Sequence, residues 1–183
     1  RDPRKANHRF IAFAVPFGWI LNPDEFEKGL NVIVSNIRRI PPESVDSKIK
    51  NYHWLDLISG MFEAYDSNVD SVILVDEGNN ISEGPGFNIF CVDASGLNTP
   101  DKGVLEGVTR QTVLDLAEEI KLPVNLKPIS INMLNDSIEV FATSTAGGIM
   151  PITKINNQLV GNGTPGKLTR QIHKSYWDLH VNS

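Results

Sequence analysis

The chain has 183 residues, 40% of them hydrophobic and 21% charged, which excludes wholesale disorder and is the size of one domain. Its 17 basic and 22 acidic residues give a net charge of −5, which argues against a broad electrostatic nucleic-acid binder. The single cysteine, Cys91, excludes an internal disulfide, and the longest apolar runs are about half the length of a membrane span, so we expect a cytoplasmic protein with no membrane or nucleic-acid partner.

Hydrophobic periodicity predicts strands and helices along the whole chain. Alternating or short apolar runs predict strands at 8–17, 30–40, 71–76, 87–92, 97–100, 124–131, 138–143 and 152–160, the last of these a hairpin that turns at Asn156-Asn157. Helical spacing predicts helices at 53–66 and 108–120, a short helix or turn at 132–137, and a C-terminal helix containing Leu168, Ile172, Tyr176 and Leu179. Frequent hairpins with three main helices predict one α+β domain.

A glycine-rich stretch before the last helix, GNGTPGKL at 161–168, nearly matches the phosphate loop of NTPases. Leu168 stands where that loop needs a hydroxyl for Mg²⁺, and Pro165 lacks a backbone N–H that would bind phosphate. A turn leading into a helix is the simpler interpretation, and an NTPase stays open as an alternative. None of the four histidines has zinc-ligand spacing, so no metal site is predicted, and Cys91 is interpreted as a packing residue in an apolar strand.

Four local features together indicate a bound cofactor. Lys50 lies just before a predicted helix, and Glu83 opens a Gly-Pro-Gly-Phe-Asn turn. The stretches GVLEGVTR at 103–110 and STAGG at 144–148 are small-residue loops whose N–H groups and hydroxyls can bind an anion. A lysine, an acid and two phosphate-type loops are the parts that hold pyridoxal phosphate (PLP), because the lysine condenses with its aldehyde and the acid keeps its ring nitrogen protonated. Taken singly, each feature is also typical of an ordinary surface lysine or turn.

Three longer segments, in this order, resemble the class IV PLP-dependent aminotransferases: SEGPGFNIF, TPDKGVLEGVTRQTVLDLAEE and EVFATSTAGGIMPITKINNQLVGNGTPGKLTRQIHKSYWDLH. That group includes branched-chain and D-amino-acid aminotransferases and (R)-selective amine transaminases. The segments RRIPPESVDSKIKNYHWLDLISGMFEA and TAGGIMPIT are most similar to the (R)-amine branch. The resemblance implies the family's larger C-terminal domain, an α+β fold of the D-amino-acid aminotransferase type. Mixed, mostly antiparallel sheets are expected in a pseudo-barrel with flanking helices.

The resemblance also implies a role for each residue that matches a family motif. Lys50 resembles the catalytic lysine that binds PLP, and Asn51 after it fits the family pattern, which argues against Lys48. The other implied cofactor-binding residues are Glu83 at the ring nitrogen, Leu105 against the ring, and Gly107, Val108, Thr109 and Thr145 around the phosphate. The implied substrate pocket contains Trp54, Ala146 and Gly147. Branched-chain enzymes place a tyrosine five residues after the lysine, whereas this chain has Leu55 there, as in the amine transaminase pattern.

The implied function is transfer of an amino group between a small-molecule donor, either a branched-chain amino acid or an (R)-amine, and a 2-oxo acid by a homodimer. Residues 1–40 are expected to hold the end of an interdomain region and the first strands of the large domain, and 41–183 the PLP-binding large domain. The family's smaller N-terminal domain, which supplies an arginine to the phosphate, has no match in this chain. Two alternatives stay open: a PLP-dependent lyase of the aminodeoxychorismate lyase type, and a truncated, catalytically incomplete domain.

Overall fold

The computed structural model describes residues 2–182 and contains, within them, four α-helices and eight strands. The helices are α1 Leu55–Asp66, α2 Val108–Glu119, α3 Ile131–Asn135 and α4 Lys167–Asn182. The strands are β1 Leu30–Arg38, β2 Ser71–Val75, β3 Asn88–Asp93, β4 Gly96–Thr99, β5 Val124–Leu126, β6 Glu139–Ser144, β7 Gly148–Ile155 and β8 Gln158–Leu159. Two short 3₁₀ turns, Pro3–Lys5 and Pro23–Glu25, precede β1.

The strands of the described chain form one mixed sheet in the order β2-β1-β7-β6-β3-β4-β5, with β8 paired to β7. β1 runs parallel to both β2 and β7, and β5 runs parallel to β4. The pairs β3–β4, β3–β6, β6–β7 and β7–β8 are antiparallel. The sheet curls into half a barrel flanked by helices, which confirms the predicted α+β fold with mixed, mostly antiparallel pairing.

The core is divided between the two faces of this sheet, because side chains alternate along each strand. On one face, Ile73 and Ile89 belong to a cluster that Leu134 of α3 helps to close. On the other face, Phe90 and Phe141 stack with ring centroids 5.1 Å apart, beneath apolar side chains of α2 and α4. β2 is buried along its whole length, because α1 covers the face that the first cluster leaves open.

The two predicted hairpins are confirmed. β3 pairs with β4 across a tight turn, and β7 pairs with β8 across Asn156 and Asn157. Both asparagines have positive φ, at 50° and 63°, which a two-residue type I′ turn requires and asparagine tolerates. The helices predicted at 53–66, at 108–120 and at the C-terminus are confirmed as α1, α2 and α4. None of the helices in the described range is long and apolar enough to cross a lipid bilayer.

The strand predicted at 8–17 is wrong. Residues 6–19 have no regular secondary structure, and Phe10 is 94% exposed. The apolar alternation is present, but no strand within residues 2–182 pairs with this segment, and a strand without a partner leaves its backbone groups to water. The first strand of the domain is therefore β1, which lies in the interior of the sheet between β2 and β7.

The strand predicted at 124–131 is too long. β5 ends at Leu126, because Pro128 has no N–H to continue the ladder with β4. Ser130 then acts as the N-cap of α3, and its side chain accepts a hydrogen bond from the backbone N–H of Met133. The short helix predicted at 132–137 is thus confirmed as α3, starting one residue earlier.

Candidate active site

A cavity of about 690 Å³ lies where four segments of the chain meet, a size typical of small-molecule sites. Its walls come from 47–57, 83–88, 105–110 and 143–146, together with Ile20 and Arg39. Among the residues that line it are all but one of those that the sequence implied: Lys50, Trp54, Glu83, Leu105, Gly107, Val108, Thr109, Thr145 and Ala146. The exception is Gly147, which lies outside the lining.

The two candidate lysines both lie in the segment before α1, and they differ in their contacts. Lys48 forms an ion pair with Glu106, with 2.7 Å between Nζ and Oε1, and both side chains are exposed. Lys50 is exposed and lines the cavity. Asn51 fixes the chain just after Lys50, since its Nδ2 donates to the carbonyl of Ile49 and its Oδ1 accepts from the N–H of His53. Both lysines therefore line the cavity, and Lys48 is engaged in an ion pair with Glu106.

Glu83 is a buried acid at the cavity wall, with 6% of its surface exposed. Its Oε2 accepts a hydrogen bond from the N–H of Leu105 at 2.9 Å, and its Oε1 accepts one from Nε of Arg39 at 3.1 Å. Burial raises the pKa of Glu83 above its ordinary value, while the Leu105 N–H and the Arg39 charge oppose that rise. Arg39 also donates from Nη1 to Oδ2 of Asp56 at 2.7 Å.

The N-terminus of α2 opens onto the same cavity. The first N–H groups of an α-helix have no partners within the helix. Gly107 is the N-cap of α2, and it has no side chain that could accept hydrogen bonds from them. A Cβ on Gly107 would lie 2.4 Å from Oδ1 of Asn88, whose Nδ2 donates to the carbonyl of Leu105. Val108 is 80% exposed, and Thr109 after it is buried. Unpaired N–H groups and the helix dipole make this end of α2 suitable for an anion.

The fourth wall is the end of β6 and the loop after it. Thr143 Oγ1 is buried and has no hydrogen-bond partner among the described residues. Ser144 Oγ accepts from the N–H of Ala146 at 3.1 Å, which bends the chain and leaves Thr145 exposed at the cavity. Gly147 turns away from the cavity, where a Cβ would lie 2.2 Å from Sδ of Met150. The loop therefore presents a hydroxyl and backbone groups to the cavity, and Gly147 serves close packing behind it.

The second glycine-rich helix start, at α4, is already filled by the protein. The Glu139 carboxylate accepts from the N–H of Leu168 at 3.1 Å and from the N–H and hydroxyl of Thr169 at 2.8 and 2.7 Å. A Cβ on Gly166 would lie 1.9 Å from the carboxyl carbon of Glu139. A phosphate has no room to bind these N–H groups, which argues against the NTPase alternative.

Cys91 lies inside the sheet on β3 and is fully buried. Burial raises the pKa of its thiol to about 11, so the thiol is protonated near neutral pH and is a poor nucleophile. The interpretation of Cys91 as a packing residue is confirmed.

Four polar residues that contribute to this region were missed by sequence analysis: Arg39, Asp56, Asn88 and Thr143. Asn88 and Thr143 face each other as one pair of the β3–β6 ladder. That pairing joins distant parts of the chain and leaves no local signal. Arg39 does carry one, because a charged residue at the end of an apolar strand and before Pro41-Pro42 is unusual unless the charge is paired.

Known proteins match the chain over nearly its whole length. The family model described as "Amino-transferase class IV" matches residues 1–155. The branched-chain-amino-acid aminotransferase of Escherichia coli (strain K12) is 30% identical over 172 residues, which cover 92% of this chain and 56% of that protein. A crystal structure of the E. coli enzyme matches with a TM-score of 0.86 and 30% identity, over 90% of this chain and 55% of that chain. That of the Thermobaculum terrenum enzyme in its PLP-form matches with a TM-score of 0.81 and 28% identity, over 87% and 53%.

The fold and the family match together define the class of protein: the chain belongs to the class IV aminotransferases. The E. coli and T. terrenum relatives that it matches are branched-chain aminotransferases. The family match confirms the class IV resemblance seen in the sequence, while the finer likeness to the (R)-amine branch stays a prediction. The chain spans about half the length of the E. coli and T. terrenum proteins it matches.

Proposed function

We propose that this chain is the PLP-binding domain of an aminotransferase that moves an amino group between an amino acid or amine and a 2-oxo acid. A branched-chain amino acid or an (R)-amine is the proposed donor. The observation that carries the proposal is that Lys50, Glu83 and the N-terminus of α2 line one cavity. Membership of the class IV family supports it.

The residues around the cavity fit the cofactor. N–H groups at a helix start suit a phosphate, a buried carboxyl suits a ring nitrogen, and a lysine amine suits an aldehyde. The buried hydroxyl of Thr143 lacks a partner among the described residues, and a ligand in the cavity would supply one. When bound, PLP withdraws electrons from the substrate carbon that carries the amino group and so makes its proton acidic.

The chain's own groups then bind and move protons. Lys50 would hold the cofactor through its aldehyde, and its Nζ, once free, would be the base that takes the proton from the substrate carbon. The Glu83 carboxylate would hold a proton on the ring nitrogen of the cofactor. The remaining residues would bind or orient: Val108, Thr109 and Thr145 the phosphate, Gly107 by close backbone approach, Leu105 the ring, and Trp54 and Ala146 the substrate pocket, with Gly147 packing behind the loop that carries Ala146.

We propose the same domain assignment as the sequence implied, with one change from the fold. The PLP-binding large domain comprises 41–183, and 1–40 contribute the end of an interdomain region and β1.

We also propose a homodimer. Its support is the apolar face of α1, where Leu55, Ile58, Phe62 and Tyr65 are exposed. Sedimentation of the chain at several concentrations tests it, and a monomer throughout would contradict it.

Absorbance spectroscopy with added PLP tests the cofactor and its anchor. The expected result is a visible band that borohydride reduction removes, with the pyridoxyl group then mapped to the peptide containing Lys50. Lys50→Ala should abolish the label, and the matched variant Lys48→Ala should retain it. Label spread over several lysines, or retained in Lys50→Ala, would contradict the assignment.

A turnover assay separates the proposed reaction from its alternatives. An aminotransferase should consume more than one amino donor per site only when a 2-oxo acid is present to accept the amino group. Pyruvate release without an acceptor would instead favour the lyase. PLP binding at Lys50 without any turnover would favour a catalytically incomplete domain.

A further inference from the structure

Within the described chain, Asp56, Arg39 and Glu83 form a continuous row of buried charges. Arg39 Nη1 lies 2.7 Å from Asp56 Oδ2, and Arg39 Nε lies 3.1 Å from Glu83 Oε1. The side chains of Arg39 and Glu83 are each 8% exposed and that of Asp56 is 13% exposed. One cation thus stands between two carboxylates away from water, and only one of the two carboxylates lines the cavity.

Each member of the row is held by its own element. Arg39 follows β1, Glu83 lies in the turn before β3, and Asp56 lies in the first turn of α1. Asp56 is fixed by backbone donors, because its Oδ2 accepts from the N–H of Ile40 and its Oδ1 from the N–H of Leu57. Arg39 therefore lies between two carboxylates, and these contacts hold its Nε against the Glu83 carboxylate.

We propose that Arg39 and Asp56 are positioning residues that together set the charge of Glu83: Arg39 keeps the carboxylate ionised and in place, and Asp56 limits how strongly it does so. Asp56 lies outside the cavity lining and Arg39 belongs to it, and in this role each acts through Glu83. The ionisation of Glu83 is a property of the chain itself, but its importance for catalysis rests on the proposed function.

Three effects together determine whether the Glu83 carboxyl is ionised. Burial favours the neutral acid, and the nearby Arg39 cation favours the carboxylate. The Asp56 charge sits on the far side of Arg39 and, at a longer distance, favours the neutral acid again. Removing Arg39 should therefore raise the pKa of Glu83, whereas neutralising Asp56 should lower it. A role confined to holding the fold together gives no reason for opposite signs.

Other charged groups face the same cavity and are left unchanged by this test. They are Lys48 and Lys50 from the segment before α1, and Glu106 and Arg110 at the start of α2. Lys48 and Glu106 are already paired with each other at the rim. These groups are the same in every variant. A difference between variants in the pKa of Glu83 is therefore due to the change made in the Asp56–Arg39–Glu83 row.

The test is titration of Glu83 by ¹³C NMR on the chain without PLP, using glutamate labelled at the carboxyl carbon and Glu83→Gln to assign the signal. Arg39→Gln should raise the pKa of Glu83 by about one to three pH units, the usual effect of losing an adjacent opposite charge. Asp56→Asn should give a smaller shift downward. Arg39→Lys keeps the charge and should stay close to the wild-type value. Arg38→Gln and Asp66→Asn, exposed neighbours on the same elements, are matched controls that should leave the pKa unchanged.

Shifts of the same sign in Arg39→Gln and Asp56→Asn, or no shift in either, would overturn the proposal. Circular dichroism checks that each variant is folded, and if Arg39→Gln is not, Asp56→Asn and Arg39→Lys still decide between the outcomes. A parallel PLP titration distinguishes failure of the proposed function from failure of the proposed control of Glu83 ionisation. Failure of the wild-type chain to bind PLP would count against the proposed function, while the NMR result would still stand or fall alone.

Discussion

Thr143→Val should make the chain more stable and at the same time weaken its affinity for PLP. Thr143 is buried, lines the cavity, and its Oγ1 has no partner among the described residues. Valine has nearly the same shape and removes the hydroxyl. Loss of an unsatisfied buried polar group stabilises the free chain, whereas a hydroxyl that serves a ligand is missed only when the ligand binds.

The magnitude follows from the cost of leaving a buried polar group unpaired, about 1–3 kcal/mol. We expect Thr143→Val to recover about 1 kcal/mol of it, equivalent to a rise of about 2–4 °C in Tm for a chain of this size. A lost hydrogen bond to a charged ligand group costs about 1.5–3 kcal/mol, so the Kd for PLP should rise by about ten- to a hundredfold.

Thermal unfolding and PLP titration on the same samples measure the two effects. The matched control is Thr99→Val, because Thr99 is equally buried but its Oγ1 donates to the carbonyl of Ile89 at 2.7 Å. Thr99→Val should lower Tm and leave PLP affinity nearly unchanged, while Thr143→Ser should keep both properties close to wild type. A drop in Tm for Thr143→Val as large as that for Thr99→Val would refute the reasoning, since it would mean that the Thr143 hydroxyl is satisfied without a ligand.

Three further predictions concern stability. Glu139→Ala removes the carboxylate that caps α4 and should cost about 1–3 kcal/mol in urea unfolding, with Glu139→Gln losing about half as much because one oxygen still accepts; equal losses would contradict the capping role. Phe141→Ala empties a fully buried site stacked on Phe90 and should cost about 3–5 kcal/mol, against a smaller loss for Phe141→Leu. Because the pKa of Glu83 is raised on folding, its protonation stabilises the fold below the ordinary carboxyl pKa of 4.5, and this contribution is lost as pH rises through the raised value. The stability of wild type relative to Glu83→Gln should therefore fall with rising pH, and a difference that grows instead would show that the pKa is lowered.

Much of the fold was predictable because its signals are local. Asn156-Asn157 between apolar runs specifies a hairpin through backbone conformation alone, and the turn has the expected positive φ values. The apolar spacing of 108–120 specifies α2 in the same way, since it places Val113 and Leu116 on one buried face. Motif order along the chain carried the family assignment, which the matches to solved structures confirm.

The errors arose where the outcome depends on contacts distant in sequence. The segment 8–17 has the alternation of a strand, but a strand also needs a hydrogen-bonding neighbour, and none within residues 2–182 provides one. The sequence around Arg39 indicates a paired charge, but it does not identify Asp56 and Glu83 as the partners, because these are decided by how β1, α1 and the turn before β3 come together.

The two glycine-rich helix starts show why the same motif type can have opposite meanings. Both α2 and α4 begin after small residues, and from composition either could bind a phosphate. At α4 the chain supplies its own anion, because Glu139 occupies the N–H groups from a position about thirty residues earlier in the chain. At α2 the N-cap is Gly107, which contributes no acceptor, and the helix start opens onto a cavity that Lys50 also lines. A glycine-rich loop therefore indicates a ligand site only when the fold leaves its donors unpaired, and in this chain α2 meets that condition and α4 does not.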